Sequence, residues 1–295
     1  MLDLSAFTYD SELPIELTVL AERVRDDKRV QDVSFKSPLS GKVSAYLIIP
    51  SEPQVRAGLI FGHWGEGDRG EFVDEAVLLA RLGFVSLCLD APFRRPAEYK
   101  PEVDPPQADL QWIVDVRRAV DILQDSFRLS PEHIGYIGHS FGASFGGVIA
   151  GVEHRIKAYV LLAGAASATE VMRTSNHPLI IRAREKTSPE EWNAILDAEA
   201  PYDACHYIDQ AAPSSLYFQF ACHDDFISVQ EGEHYFELAS EPKQIAWYDN
   251  CNHELSAEAR IDRAIFLCEQ LGLPRPSQHI LDLLERVPSP VPVGD

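Results

Sequence analysis

Residues 134–143 read IGYIGHSFGA, and this stretch decides the fold because it joins a predicted strand directly to a predicted helix. The apolar run IGYIG is typical of a buried strand, and small residues dominate the helix that follows Ser140. The G-x-S-x-G pattern between them marks a turn so sharp that the serine is strained and its hydroxyl points out of the sheet. The helix N-terminus adds free N–H groups where negative charge would develop. Ser140 is therefore the candidate nucleophile; the alternative is a glycine-rich junction with a bystander serine.

The alternation of strands and helices extends to both sides of this junction. Six further apolar runs predict strands: VSAYLII (43–49), GLIFG (58–62), FVSLCL (84–89), AYVLLA (158–163), SLYFQF (215–220) and QIAWY (244–248). Apolar residues at helical spacing predict helices over 72–82, capped by Gly83, and over 110–127, 229–239 and 257–271, besides the one that starts near 140. Strands alternating with helices imply βαβ units. The sequence therefore predicts an α/β fold with a mainly parallel central sheet flanked by helices.

One segment interrupts this alternation. Residues 165–212 contain helical material, PEEWNAILDAEA, and no obvious strand. We expect either a small helical cap inserted into a single domain of residues 1–295, or one long crossover with an extra helix. The proline-rich end, residues 287–295, is predicted to be a poorly packed tail.

The wider sequence resembles a known family. IGYIGHSFGA, together with SFKSPLSGKVSAYLIIP, GHW, LCLDAP and VDVRRAVDIL, is similar to the dienelactone hydrolase and acetyl-xylan-esterase-like branch of the α/β-hydrolase superfamily, over roughly residues 30–272. The resemblance implies a serine hydrolase that cleaves an ester, thioester or lactone through an acyl-enzyme, without a cofactor. A peptidase or amidase with the same triad is one alternative. A non-catalytic binding protein that keeps the fold is another.

The resemblance also implies a base and an acid for Ser140. The chain order in this fold is serine, acid, histidine. His253 follows the last predicted strand in the loop NCNHEL, where the family places its base. The loop ACHDDFI (221–227) resembles the family's G-x-x-D-x-x-V turn and selects Asp224, with Asp225 as the alternative.

The resemblance further implies two N–H donors for an oxyanion. One is the backbone N–H of Phe141, the residue after the nucleophile. The second comes from the loop HWGEG (63–67), where Gly65 aligns best and Trp64 is the alternative. Trp64 stands where the family usually has glycine. Its ring is expected either to narrow the acyl pocket or to pack beneath the loop as core.

Three more residues near these motifs have open roles. Arg94 and Arg95 follow a predicted strand, and they either clamp an anionic group of the substrate or belong to a solvated loop paired with local acids. His139 adjoins the nucleophile and is predicted to pack or to line the pocket.

Composition limits the classes of partner. The 295 residues carry a formal net charge of −20, which disfavours nucleic acid and anionic membrane surfaces. The five cysteines show no metal-binding or redox spacing, so we expect free thiols, no metal and a cytoplasmic protein. The N-terminus also lacks the basic and apolar regions of a signal peptide. The expected partner is a small acyl substrate, and homo-oligomerisation stays open.

Overall fold

The computed structural model describes residues 4–51, 55–101 and 104–288. Residues 289–295 of the predicted tail lie outside the described residues. The described strands are β1 (Thr18–Arg25), β2 (Lys28–Lys36), β3 (Lys42–Ile49), β4 (Ala57–Gly62), β5 (Phe84–Leu89), β6 (Ile134–His139), β7 (Ala158–Leu162), β8 (Ser215–Ala221) and β9 (Lys243–Tyr248). The described α-helices are α1 (Val73–Leu79), α2 (Pro105–Phe127), α3 (Phe141–Val152), α4 (Ala168–Thr174), α5 (Pro178–Arg184), α6 (Pro189–Glu199), α7 (Val229–Leu238), α8 (Ala257–Gln270) and α9 (Gln278–Glu285).

The nine strands form one sheet in the order β1-β2-β3-β5-β4-β6-β7-β8-β9. Strands β1, β2, β3 and β5 pair antiparallel, and every pair from β5 to β9 is parallel. One apolar core packs α2, α3 and α7 against one face, and a second packs α1, α8 and α9 against the other. The prediction of a mainly parallel sheet flanked by helices is confirmed. No described helix is both long and apolar enough to cross a bilayer.

Helix boundaries follow local signals that the apolar periodicity does not contain. Helix α2 begins at Pro105, earlier than predicted, because the Asp104 side chain accepts from the Gln107 N–H and proline suits the first turn. Helix α1 ends at Leu79 and continues as a 3₁₀ turn. Gly83 then ends that turn at φ 98°, as its predicted capping role requires.

The hairpin of β1 and β2 was not predicted from the sequence. Strand β1 is exposed along its whole length, so it lacks a buried face that would give it an apolar pattern. Its two-residue turn consists of Asp26 and Asp27, with φ of 48° and 61°, where Asn-Gly or Asp-Gly is the usual signal. The sequence analysis also predicts no helix over Gln278–Glu285, where the structure has α9.

Residues 165–212, the predicted cap, contain α4, α5, α6 and three short 3₁₀ turns, with no strand. Polar side chains start each helix: Ser167, His177 and Ser188 accept from backbone N–H groups of the first turn. Helix α6 contacts both α4 and α2. Whether this segment acts as a cap stays a prediction.

The position of the Arg95 side chain fits neither of the two predicted roles, a substrate clamp or part of a solvated loop. Its side chain is fully buried, and its Nη2 lies 2.5 Å from a carboxylate oxygen of Asp115 on α2. No sequence pattern indicates this pairing, because the two residues belong to different elements.

We therefore expect Asp115→Asn to lower the free energy of unfolding by roughly 3–5 kcal/mol, because it leaves a buried guanidinium without its counter-charge. The matched control is Asp197→Asn, which breaks the pair with Arg173 at a side chain that is 75% exposed. That change should cost no more than about 1 kcal/mol. Denaturant titrations of both variants test the difference, and equal losses would contradict it.

Candidate active site

The backbone of Ser140 is strained at the junction of β6 and α3. Its φ of 51° and ψ of −108° fall in a region that residues other than glycine rarely adopt, at a cost of roughly 1–3 kcal/mol. Hydrogen bonds hold it there: the Ser140 N–H donates to the Leu162 carbonyl at 2.8 Å, and the Ser140 carbonyl accepts from Ala143 and Ser144. The serine is therefore fixed at the carboxyl end of a central strand, with its side chain lining a cavity.

The glycines around Ser140 are required by close backbone contacts. A Cβ on Gly138 would collide with the Gly142 carbonyl, and one on Gly142 would collide with the Gly62 carbonyl of β4. The first turn of α3 therefore packs directly on the end of β4. Both glycines of the G-x-S-x-G motif serve this contact.

Asp224 and His253 are brought together by the loops after β8 and β9. The Nδ1 of His253 lies 3.0 Å and 2.9 Å from the two carboxylate oxygens of Asp224. One of these oxygens also accepts from the N–H groups of Phe226 and Ile227, which fixes the carboxylate. Asp225 points elsewhere and pairs with Asn252. Of the two candidate acids, Asp224 is the one in contact with His253.

The other ring nitrogen of His253, Nε2, is buried and has no hydrogen-bond partner among the described residues. Its bond to Ser140 is therefore not formed in this structure. Burial lowers the pKa of His253, and the hydrogen bond to Asp224 opposes this without reversing it. The lowered pKa favours the neutral imidazole that a proton acceptor requires.

Two backbone N–H groups are available next to Ser140. Within the described ranges, neither Phe141 nor Gly65 donates its N–H to an acceptor, and both residues line the cavity. The Trp64 N–H donates instead to a carboxylate oxygen of Glu71 at 2.8 Å. Of the two candidates in the loop after β4, Gly65 is thus the one with a free donor.

Trp64 is half-buried and belongs to neither apolar core, so its ring does not pack as core; that it narrows an acyl pocket stays a prediction. The ring centroid lies 6.3 Å from that of His139 and 6.4 Å from that of His253, so the indole packs beside the candidate base. Trp64 also lines the cavity.

Arg94 donates to the Gly65 carbonyl and pairs with Glu66, which matches the solvated-loop alternative for this residue.

The cavity beside Ser140 has a volume of about 630 Å³. Side chains from α4 and α5, the helices of the predicted cap, form part of its wall. Apolar groups dominate the lining, among them Phe93, Phe145, Met172, Ile180, Phe226 and Ile227. A cavity of this size and character is suited to an apolar small molecule.

Acidic groups on the cavity wall were not found from the sequence. Burial, and then the nearby charge of Asp203, raise the pKa of Glu199 to about 7. Burial also raises the pKa of Asp109 well above its ordinary value, with Glu199 and Asp203 adding to the effect. These acids stand on α2, on α6 and just after it, so only the folded chain shows that they share a wall.

In the described part of the chain, no group of three or more His, Cys, Asp or Glu side chains is placed to hold a metal ion.

Solved structures share this architecture. Acetyl xylan esterase 1 from Thermoanaerobacterium sp. JW/SL YS485 is 14% identical, with a TM-score of 0.75 over 90% of this chain and 91% of that one. Acetyl xylan esterase from Paenibacillus sp. R4 is 17% identical, with a TM-score of 0.73 over 90% and 91%. A 2,6-dihydroxy-pseudo-oxynicotine hydrolase is 19% identical, with a TM-score of 0.65 over 88% and 68%. No family model and no curated protein matches the sequence.

These likenesses establish that the chain has the α/β-hydrolase fold. The first two structures carry the name of the acetyl xylan esterases, the branch that the sequence resembles. The predicted fold class is thereby confirmed.

The packing at the serine turn makes a prediction about stability. Gly142→Ala should lower the free energy of unfolding by roughly 1–3 kcal/mol or more, since its Cβ would meet backbone that has no room to move. Gly65→Ala is the matched control, because nothing lies within 4 Å of a Cβ there. Melting temperatures of the two variants check this, and an unchanged value for Gly142→Ala would refute the steric argument.

Proposed function

We propose that this protein is a serine hydrolase that cleaves a carboxylic ester, thioester or lactone through an acyl-enzyme. The observation that carries the proposal is the buried Asp224–His253 hydrogen bond, with the His253 ring centroid 5.0 Å from that of His139, the residue before a strained serine that lines a cavity. The esterase names of structures with the same fold support an ester as the substrate.

The proposed reaction begins when Ser140 Oγ attacks the substrate carbonyl and His253 Nε2 accepts the hydroxyl proton. This step needs a rotation that brings Oγ to the unpartnered Nε2. Asp224 holds the Nδ1–H tautomer and stabilises the imidazolium that forms. His253 then gives the proton to the leaving alcohol or thiol. Water, deprotonated by the same imidazole, attacks the acyl carbonyl. The bond to Ser140 Oγ then breaks, the acid is released, and the imidazolium returns the proton to Oγ.

The negative charge on the carbonyl oxygen needs donors that are already in place. In this proposal the N–H groups of Phe141 and Gly65 hold the oxyanion, because neither is engaged with a protein acceptor. Such preorganised donors are each worth about 10²–10³ in rate. The apolar wall of the cavity favours a substrate with an apolar acyl or alcohol part.

Ser140→Ala should abolish turnover and leave the fold intact, because only a hydroxyl is lost. The assay is hydrolysis of a p-nitrophenyl ester series of increasing chain length, with an anilide series to test amide cleavage. A fluorophosphonate probe should label the unaltered protein and not the variant. More than a trace of remaining activity would refute the nucleophile assignment. Absence of probe labelling in the unaltered protein would favour a non-catalytic binding role.

A second prediction separates the two neighbouring acids. Asp224→Asn should lower kcat by about 10⁴-fold, because the amide favours the wrong tautomer of His253. Asp225→Asn should cost far less, since Asp225 contacts Asn252 rather than His253. Steady-state kinetics of the pair test this, and the reverse order of effects would assign the role to Asp225.

A further inference from the structure

Both ring nitrogens of His139 face groups that only accept hydrogen bonds. The Nδ1 lies 2.6 Å from Glu71 Oε1, and the Nε2 lies 2.8 Å from the backbone oxygen of His253. An ionised Glu71 and a backbone carbonyl have no proton to donate, and a neutral imidazole has one N–H. With Glu71 ionised, both bonds therefore form only if the ring carries two protons and a positive charge. The His139 and Glu71 side chains are 5% and 3% exposed, so the pair is buried.

The second carboxylate oxygen of Glu71 reaches a third segment. It accepts the N–H of Trp64 at 2.8 Å, in the loop that contributes the Gly65 donor. Glu71 and His139 thereby connect the loop after β4, the serine turn and the loop that carries His253. Glu71 is 68 residues before His139, and His253 is 114 residues after it, so these bonds fix segments that are distant in sequence.

We propose that Glu71 and a permanently protonated His139 form a positioning pair, which holds the loop of the base and the loop of the oxyanion donor against Ser140. The inference rests on the proposed function. Neither residue touches the reacting atoms: Glu71 acts through Trp64 and His139, and His139 acts through the backbone of His253. A displacement of about 1 Å at such positions can cost on the order of 10² in rate.

The electrostatic surroundings agree with a charged His139. Burial lowers the pKa of this imidazole, but the charge and hydrogen bond of Glu71 and the His253 carbonyl outweigh it, with Asp224 contributing, so the pKa is raised. A small cavity adjoins the pair and is lined by four further charged groups: Glu75, Glu254, Arg260 and Arg263. Of these, Glu75 is already neutralised by ion pairs with both arginines.

The pair also acts on the proton affinity of the base. The His139 ring centroid lies 5.0 Å from that of His253, whereas Glu71 bonds the other nitrogen of His139. The nearer cation disfavours a second charge on His253 and contributes to its lowered pKa. Neutralising the pair should therefore raise the pKa of His253.

Glu71→Gln is the sharpest probe, because it removes the charge and can keep the contacts. The amide oxygen would accept from Trp64, the amide N–H would donate to a neutral His139 Nδ1, and the His139 Nε2–H would still reach the His253 carbonyl. His139→Leu, by contrast, deletes both bonds. The matched control is Glu75→Gln. Glu75 is a buried acid four residues after Glu71, and it pairs with Arg263 rather than with His139.

The direct test is ¹⁵N NMR of the full-length protein with labelled imidazoles. His139 should keep two protonated nitrogens above the pH at which an ordinary histidine, with a pKa of about 6.5, has lost one. Glu71→Gln should convert it to a neutral ring, whereas Glu75→Gln should not. Titration of His139 near the ordinary value of 6.5 in the unaltered protein would overturn the proposal. This readout needs no turnover, so it stands or falls separately from the proposed hydrolase activity.

The kinetic test follows for an active enzyme. In Glu71→Gln the acid limb of kcat/KM should move upward by roughly 0.5–1 pH unit, because the positive charge of His139, which is nearer to His253, is lost together with the more distant negative charge of Glu71. His139→Leu should lower kcat by about 10–100-fold, more than Glu71→Gln does. A folded His139→Leu variant with unchanged kcat, or an acid limb that also moves in Glu75→Gln, would refute the positioning role.

Discussion

The site depends on one close approach, between the first turn of α3 and the end of β4. The Gly142 N–H donates to the His63 carbonyl at 3.1 Å, and the buried Tyr136 hydroxyl donates to the Gly142 carbonyl at 2.7 Å. Because no side chain separates these backbones, the loop that follows β4 meets the serine turn directly. The sharp turn that makes this contact also places Ser140 in a strained conformation. The same turn leaves the N–H of Phe141 without a protein acceptor.

Parallel strands then bring distant loops to the same place. Strands β4, β6, β8 and β9 all run in one direction, so their carboxyl ends lie along one edge of the sheet. The residues that follow them are Gly65, Ser140, Asp224 and His253 respectively. The usual location of ligand sites in open α/β sheets is this edge. The β7–β8 connection adds α4 to α6, which contribute to the cavity wall.

Features encoded locally could be predicted from the sequence, and features that depend on tertiary distances could not. The turn around Ser140 and the strand–helix alternation have their causes within a few neighbouring residues. The loop motifs already favoured Asp224 over Asp225 and Gly65 over Trp64. Only the folded chain shows that Asp224 contacts His253 and that the Trp64 N–H is bonded to the Glu71 carboxylate.

Buried charges show the same limit. The proline-rich loop around Arg95 is typical of the protein surface. In the structure the Arg95 side chain is nevertheless fully buried, where it pairs with Asp115 on α2. The sequence predicts only that His139 packs or lines the pocket, because a single sequence cannot show that an acid 68 residues away meets its ring. Sequence patterns indicate which faces are apolar, but they carry little information about which buried charges pair.

The distribution of these charges suggests what they are for. Buried ion pairs contribute little net stability compared with apolar packing, but they are demanding in geometry, because an unpaired buried charge is strongly unfavourable. Three buried pairs of this kind are Arg95 with Asp115, Arg263 with Glu75, and, with the proposed charge on the ring, His139 with Glu71. The lining of the cavity beside Ser140 is mainly apolar. An apolar lining strengthens N–H donors that point into it, and buried charge pairs tolerate few arrangements of the segments that carry them, so the two features together favour a preorganised site.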